Sequence, residues 1–168
     1  MDFEAPVDAW YVWLGIVFVS VVFLGLVFEL PTQAPPDADG AGNVVEELAT
    51  AGYAASATYE HSADEIRLDT TRIALRNDGG IDRTQIQFGT IVPVEAAENE
   101  SHRTVLSRAV TAKASDIRPP STDLRIAIDE TVDTFEGNQM EWQPAHSPLR
   151  MRVVTVEGER FVLVSVSN

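Results

Sequence analysis

From Ala9 to Phe28 the chain reads AWYVWLGIVFVSVVFLGLVF, twenty residues with no charge and one aliphatic hydroxyl, Ser20. No period separates a polar from an apolar side, so the segment is apolar all round. As a helix rising about 1.5 Å per residue it is about 30 Å long, the hydrocarbon thickness of a bilayer. Trp10, Tyr11 and Trp13 gather at one end, where amphipathic rings favour the headgroup zone, and Glu29 and Pro31 close the other. Buried in so small a soluble domain, such a helix would have nothing to surround it. The pattern predicts a transmembrane helix over 9–30 after a short acidic tail, 1–8. Its bilayer contact is residues 9–28, with Trp10, Tyr11, Trp13, Phe18, Phe23 and Phe28 as anchor side chains. A cleaved secretory signal would carry a basic leader, whereas the first nine residues hold Asp2, Glu4, Asp8 and no base. The helix is therefore expected to persist as a single anchor. Gly15, Ser20 and Gly25 are five apart and turn away from one another, so no helix-pairing face is predicted.

Residues 31–42 (PTQAPPDADGAG) are Pro, Ala, Gly and Asp, the composition of a linker. A short helix, 43–52, is expected next: Asn43 and Glu46 have capping-box spacing, Val44, Val45, Leu48 and Ala49 share a face, and Gly52 offers a left-handed stop. The head, 53–168, begins with extended segments. Ile66 and Leu68 alternate inward, Ile73 and Leu75 repeat the alternation with opposite parity, and a turn or a bulge is required at Asp69-Thr70-Thr71. Asn77-Asp78-Gly79-Gly80 is a strong turn. Ile86, Phe88, Thr90, Val92 and Val94 occupy every second place, the pattern of one half-buried antiparallel strand. The period then changes. Val105, Leu106, Ala109 and Val110 predict a helix from Glu100 to Ala114, Pro119-Pro120 a break, and Leu124, Ile128, Thr131, Val132 and Phe135 a second helix capped by Ser121 or Thr122 and ended by Gly137. Trp142 falls in a Pro-flanked loop. Met151–Val156, a Glu157-Gly158 turn and Arg160–Val166 complete a hairpin. The fold class is α+β: an N-terminal transmembrane helix, then a small antiparallel-sheet domain with two helices on one face, ββ(β)-αα-ββ.

Charge changes this picture in two ways. The chain holds 26 Asp and Glu against 11 Arg and a single Lys, Lys113, a net of −14. That argues against bulk binding to nucleic acid or anionic lipid, yet leaves room for a small Arg-bearing patch. Residues 1–66 hold 11 acids and no base, so all 12 bases lie beyond them and the head from Arg67 onward is close to balanced. The positive-inside rule is silent, because the first base is Arg67. A head on the cell exterior is the expectation from the common layout of small single-anchor proteins.

Candidate chemistry is sparse. Cysteine is absent, which removes disulfides, thiolate metal sites and cysteine nucleophiles. His61, His102 and His146 lack i, i+4 partners, and Asp37, Asp39 and Asn43 depart from the order of a calcium loop, so no metal is expected. No nucleophile elbow, Ser-x-x-Lys or phosphate-cradling glycine motif occurs, so no cofactor and no enzyme activity is predicted. Asn99-Glu100-Ser101 is a sequon that makes Asn99 a glycosylation acceptor on an exterior head. Trp142 reads either as an exposed partner anchor or as a cap on the edge of the core. The C-terminal hairpin offers an edge strand for β-augmentation, unless the charges at its turn blunt it.

MDFEAPVDAWYVWLG, PTQAPPDADGAG, YAASATYEH and RIALRNDGG together resemble an uncharacterised family of small single-pass haloarchaeal membrane proteins, across most of the chain. The resemblance implies a salt-rich habitat, which the acid excess and near absence of Lys fit, and an association with type IV pilus-like or secretion systems. An apolar N-terminal helix bearing a β-rich head is also loosely the layout of pilins and pseudopilins. The departures are an acidic start, Glu29 at the far end of the apolar run, and Pro31 where pilins continue one long helix. These features lead to a membrane-anchored, non-enzymatic interaction or assembly protein with a protein partner. The other expectation is a membrane-tethered small-ligand sensor with its pocket between the two helices and the sheet.

Overall fold

A run of twenty uncharged, mostly β-branched, Leu and aromatic residues satisfies its backbone groups only within itself, and Ala9–Phe28 forms one uninterrupted helix, α1. In the computed structural model the described residues are 9–28, 33–112, 122–135, 141–145 and 147–166. The chain divides into two compact units, Met1–Thr32 and Gln33–Asn168. In the first, every residue from Trp10 to Phe28 is exposed, and the Trp10 and Tyr11 rings lie 3.9 Å apart between centroids.

The second unit is α+β, and its described residues form three α-helices and two four-stranded sheets in place of one. Its helices are α2 (Ala38–Thr50), α3 (Glu100–Thr111) and α4 (Thr122–Phe135). Its strands are β1 (Ser56–Tyr59), β2 (Glu65–Leu68), β3 (Arg72–Asn77), β4 (Gly80–Gln85), β5 (Thr90–Pro93), β6 (Gln143–Pro144), β7 (Leu149–Val156) and β8 (Glu159–Val166). Sheet I has the order β1-β7-β8-β5 and sheet II β4-β3-β2-β6. All pairs are antiparallel except β5 with β8, which is parallel.

The segment assigned above to a linker is helical. Its N-cap is Asp37, whose Oδ1 accepts from the Gly40 N–H at 2.8 Å, so the start is Ala38 rather than Asn43. Ala38, Ala41, Val45 and Leu48 are spaced along one face and buried. Small residues here bring the helix close to its neighbours: a Cβ on Gly42 would stand 2.8 Å from Thr84 Cγ2. The helix stops at Thr50, with the Ala51 N–H reaching the carbonyls of Glu47 and Leu48, and Gly52 takes no left-handed turn. α2 packs against both sheets, and its apolar face joins Ile66, Leu68, Ile73 and Leu75 of sheet II to Leu149, Met151, Val162 and Val164 of sheet I in one core.

The alternation from Ile86 to Val94 is not one strand: residues 86–89 connect β4 of sheet II to β5 of sheet I, and Thr90–Pro93 is the part that enters a sheet. Gly89, at φ +94°, turns the chain between β4 and β5, where a Cβ would lie 2.7 Å from Ala49 Cβ. The Thr71 and Thr70 carbonyls hold the two sides of the crossing, accepting from Ile86 N–H and Ile91 N–H at 2.8 Å each. Ile86 is buried while Phe88 is exposed.

The two later helices do lie on one face of a sheet. Leu106 and Val110 of α3 with Leu124, Ala127 and Ile128 of α4 meet Val92, Val154, Val156, Phe161 and Leu163 of sheet I in a second core. Strands β7 and β8 are thus covered on both faces, which gives their near-continuous burial. Glu95 fastens the end of β8, its Oε1 accepting from Ser165 Oγ at 2.7 Å and Val166 N–H at 2.9 Å. Glu29, Pro31, Ala114, Pro119, Pro120, Ser121 and Gly137, the residues expected at element boundaries, lie outside the described residues.

Candidate functional site

Sheet II buries one face and exposes the other, and strand alternation decides which side chains reach the outside. Ile66, Leu68, Ile73 and Leu75 point into the core, so Glu65 and Arg67 on β2 and Arg72, Ala74 and Arg76 on β3 share the opposite face. The register aligns Arg67, Ala74 and Arg83 across three strands, Arg72 with Gln85, and Glu65 with Arg76 and Ile81. Ala74 therefore has an arginine on each neighbouring strand, about 4.8 Å away across the ladder, and Arg72 and Arg76 about 7 Å away along its own. A methyl group among four long side chains leaves a dent. The resulting cavity, of about 150 Å³, is lined by Arg67, Asp69, Arg72, Ala74 and Arg83 among others.

Trp142 completes this face. The two-residue strand β6 within the Pro-flanked segment pairs Pro144 with Glu65 and Gln143 with Ile66, so Trp142 shares the side of Glu65 and Arg67. Its ring centroid is 5.1 Å from Arg67 Cζ and 4.6 Å from Arg76 Cζ, a double cation–π contact. Trp142 is half-buried and belongs to neither core cluster, so it caps a pair of guanidinium groups rather than apolar side chains.

The charges on the face are unevenly matched. Arg76 is ion-paired with Glu65. Asp69 is engaged by its own turn, Oδ1 accepting from the Thr70 N–H at 2.7 Å. Arg72 and Arg83 are exposed and form no ion pair among the described residues. Elsewhere in the unit several arginines have local structural partners, among them Arg103 at the Ala97 carbonyl and Arg160 at the Ala49 carbonyl. Arg125 of α4 bonds Asp129 and Glu159 at 2.8 Å each, and those hydrogen bonds raise its pKa above the ordinary value. Arg152, nearly buried, donates from Nη1 to the Ala109 carbonyl at 3.1 Å near the C-terminus of α3, and burial lowers its pKa.

The other sequence-marked residues are dispersed. Trp10, Tyr11, Trp13, Phe18, Phe23 and Phe28 are exposed along α1. Asn99 is the exposed N-cap of α3, its Oδ1 accepting from the Ser101 N–H at 2.9 Å. His61 is tied into its loop by Ser147 O at 2.9 Å and Ala63 N–H at 3.2 Å, His102 lies 2.6 Å from Glu130 across α3 and α4, and His146 is outside the described residues. Among the described residues no group of three or more His, Asp or Glu is placed to hold a metal ion. The space between α3, α4 and sheet I, where a ligand pocket was expected, is filled by Leu106, Leu124, Ile128, Phe161 and Leu163. Neither strand of the C-terminal hairpin is an edge strand of sheet I, because β7 lies between β1 and β8, and β8 between β7 and β5, with β1 covering Leu149–Arg152 of β7.

The arginine cluster depends on register, which sequence alone did not supply. Its local trace is R-I-A-L-R, two arginines flanking an alanine at strand period. A family model described as a family of unknown function, DUF7283, matches residues 4–154. No curated protein and no solved structure matches the chain.

Proposed function

We propose, for a chain that belongs to the family of unknown function DUF7283, the role of a membrane-anchored, non-enzymatic interaction protein of a haloarchaeal cell surface, accessory to a type IV pilus-like or secretion system. The observation that carries this reading is Trp10–Phe28, a charge-free helix long and apolar enough to cross a membrane, with none of its surface buried in protein. Exposed to water, such a surface costs about 25 cal/mol for each Å² of apolar area, whereas lipid removes that cost. The near absence of Lys and the net charge of −14 support a salt-rich habitat. The exterior head and the pilus-like association rest on the general layout and on the resemblance of the N-terminal and RIALRNDGG stretches.

Four arginines and a tryptophan on one sheet face support the interaction role, since Arg and Trp are enriched where binding energy concentrates. Affinity capture of the tagged full chain from native membranes tests it. Recovery of a pilus or secretion subunit in stoichiometric amount is the expected result; repeated recovery of the chain alone contradicts it. The cavity over Ala74 favours a second reading, a membrane-tethered binding module for a small ligand.

A further inference from the structure

We infer that the outer face of sheet II is a binding site for one compact phosphate-class oxyanion, seated over Ala74 between Arg67, Arg72 and Arg83. This inference deepens the second reading above, and it does not depend on the membrane or pilus assignments.

Geometry is the first support. Ala74 is flanked across the ladder by Arg67 and Arg83 and along β3 by Arg72 and Arg76, so four guanidinium-bearing side chains rise around the shortest one. Like charges on neighbouring positions of a sheet destabilise it unless something of opposite sign lies among them. Glu65 pairs with Arg76, and Asp69, which accepts from the Thr70 N–H, keeps its charge at the edge of the cavity, so one carboxylate stands there against the guanidinium groups of Arg67, Arg72 and Arg83. Arg72 and Arg83 hold their charge without an ion pair among the described residues. In a chain of net charge −14, long-range attraction for anions is weak, so a ligand must be held by short-range, charge-assisted hydrogen bonds.

Size and surroundings decide the ligand class. Guanidinium forks match the oxygen spacing of phosphate, and the cavity of about 150 Å³ has room for one such group. A polynucleotide needs a longer basic track, but the register continues the face into Gln85, Ile81 and the Glu65–Arg76 pair. Trp142 is a positioning residue: by stacking on Arg67 and Arg76 it restricts the guanidinium groups before any anion arrives. The phosphate has two sources, free inorganic phosphate and the headgroup of an acidic phospholipid.

The test uses the full chain in neutral maltoside micelles, titrated calorimetrically with inorganic phosphate and, separately, with dihexanoyl phosphatidic acid. One saturable site for at least one of them is expected, weakened roughly tenfold or more in the R72Q/R83Q double variant and unchanged in R108Q, an exposed arginine of α3. Preference for the lipid identifies a headgroup site, and comparable binding of both a free-phosphate site. In a W10F/W13F background Trp142 is the one remaining indole, and its emission is expected to shift on binding. W142F, which keeps a stacking ring, should retain more affinity than W142A. Absence of saturable binding by either probe, or equal affinity in folded R72Q/R83Q, overturns the inference. So does binding of hexaglutamate where neither phosphate probe binds.

Discussion

Gly89 shows how one residue decides which sheet a strand joins. The nine residues from Ile86 to Val94 look like a single alternating strand, but a φ of +94° and the approach of Ala49 turn the chain at Gly89, so that only Thr90–Pro93 enters a sheet. Gly89→Ala adds a Cβ both to a left-handed backbone and to a 2.7 Å contact, so it should lower stability by about 1–3 kcal/mol. Gly52 is the contrast: its backbone is not left-handed and nothing stands within 4 Å of an added Cβ. Gly52→Ala should stay within about 0.5 kcal/mol of the parent or gain slightly. Urea titration of both variants, followed by circular dichroism, measures the difference. Other residue-scale signals were legible directly. The Glu157-Gly158 turn has φ of +52° and +88°, the two left-handed positions its hairpin requires. The outward arginines of β3 were legible as R-I-A-L-R, whereas their meeting with Arg67, Arg83 and Trp142 was not, because it is fixed by pairing between strands far apart in sequence.

Among the elements, α2 departs most from its sequence pattern. Ala, Gly and Asp from 37 to 42 have the composition of a linker because low side-chain volume usually means little to pack. Here low volume permits a close approach of helix to strands, with Tyr59 Oη donating to the Asp37 carbonyl at 2.8 Å and the Ala38 N–H donating to Asp82 Oδ2 at 2.8 Å. Two substitutions separate the two starts of this helix. Asp37→Ala removes the side-chain cap and should cost about 1 kcal/mol. Asn43→Ala, which would remove the cap of a helix starting at Asn43, instead places a better helix former at an exposed interior position and should stabilise by a few tenths of a kcal/mol, roughly. Urea midpoints of the two variants should move in opposite directions. The helices α3 and α4 were legible in kind because each carries its own period over twelve or more residues, and the hairpin of β7 and β8 because two β-branched runs flank the Glu157-Gly158 turn. The second sheet was not, since its strands run from two to six residues and their partners are set by the fold as a whole.

For the whole molecule, charge and apolar surface divide along the chain. The helix Ala9–Phe28 exposes apolar side chains on all sides, the unit from Gln33 has two apolar cores, and every basic residue comes after position 66. The helix Ala9–Phe28 was the most legible element because length and lack of charge suffice to mark it as long and apolar enough to cross a membrane, without any tertiary partner. Protease protection on intact cells tests the proposed anchoring and display most directly, read out with a tag at the C-terminus and followed by carbonate washing of the membranes. Digestion of the head without lysis, with the α1 fragment retained by washed membranes, is the predicted result. A head fully protected until lysis, or a chain released by the carbonate wash, would contradict it.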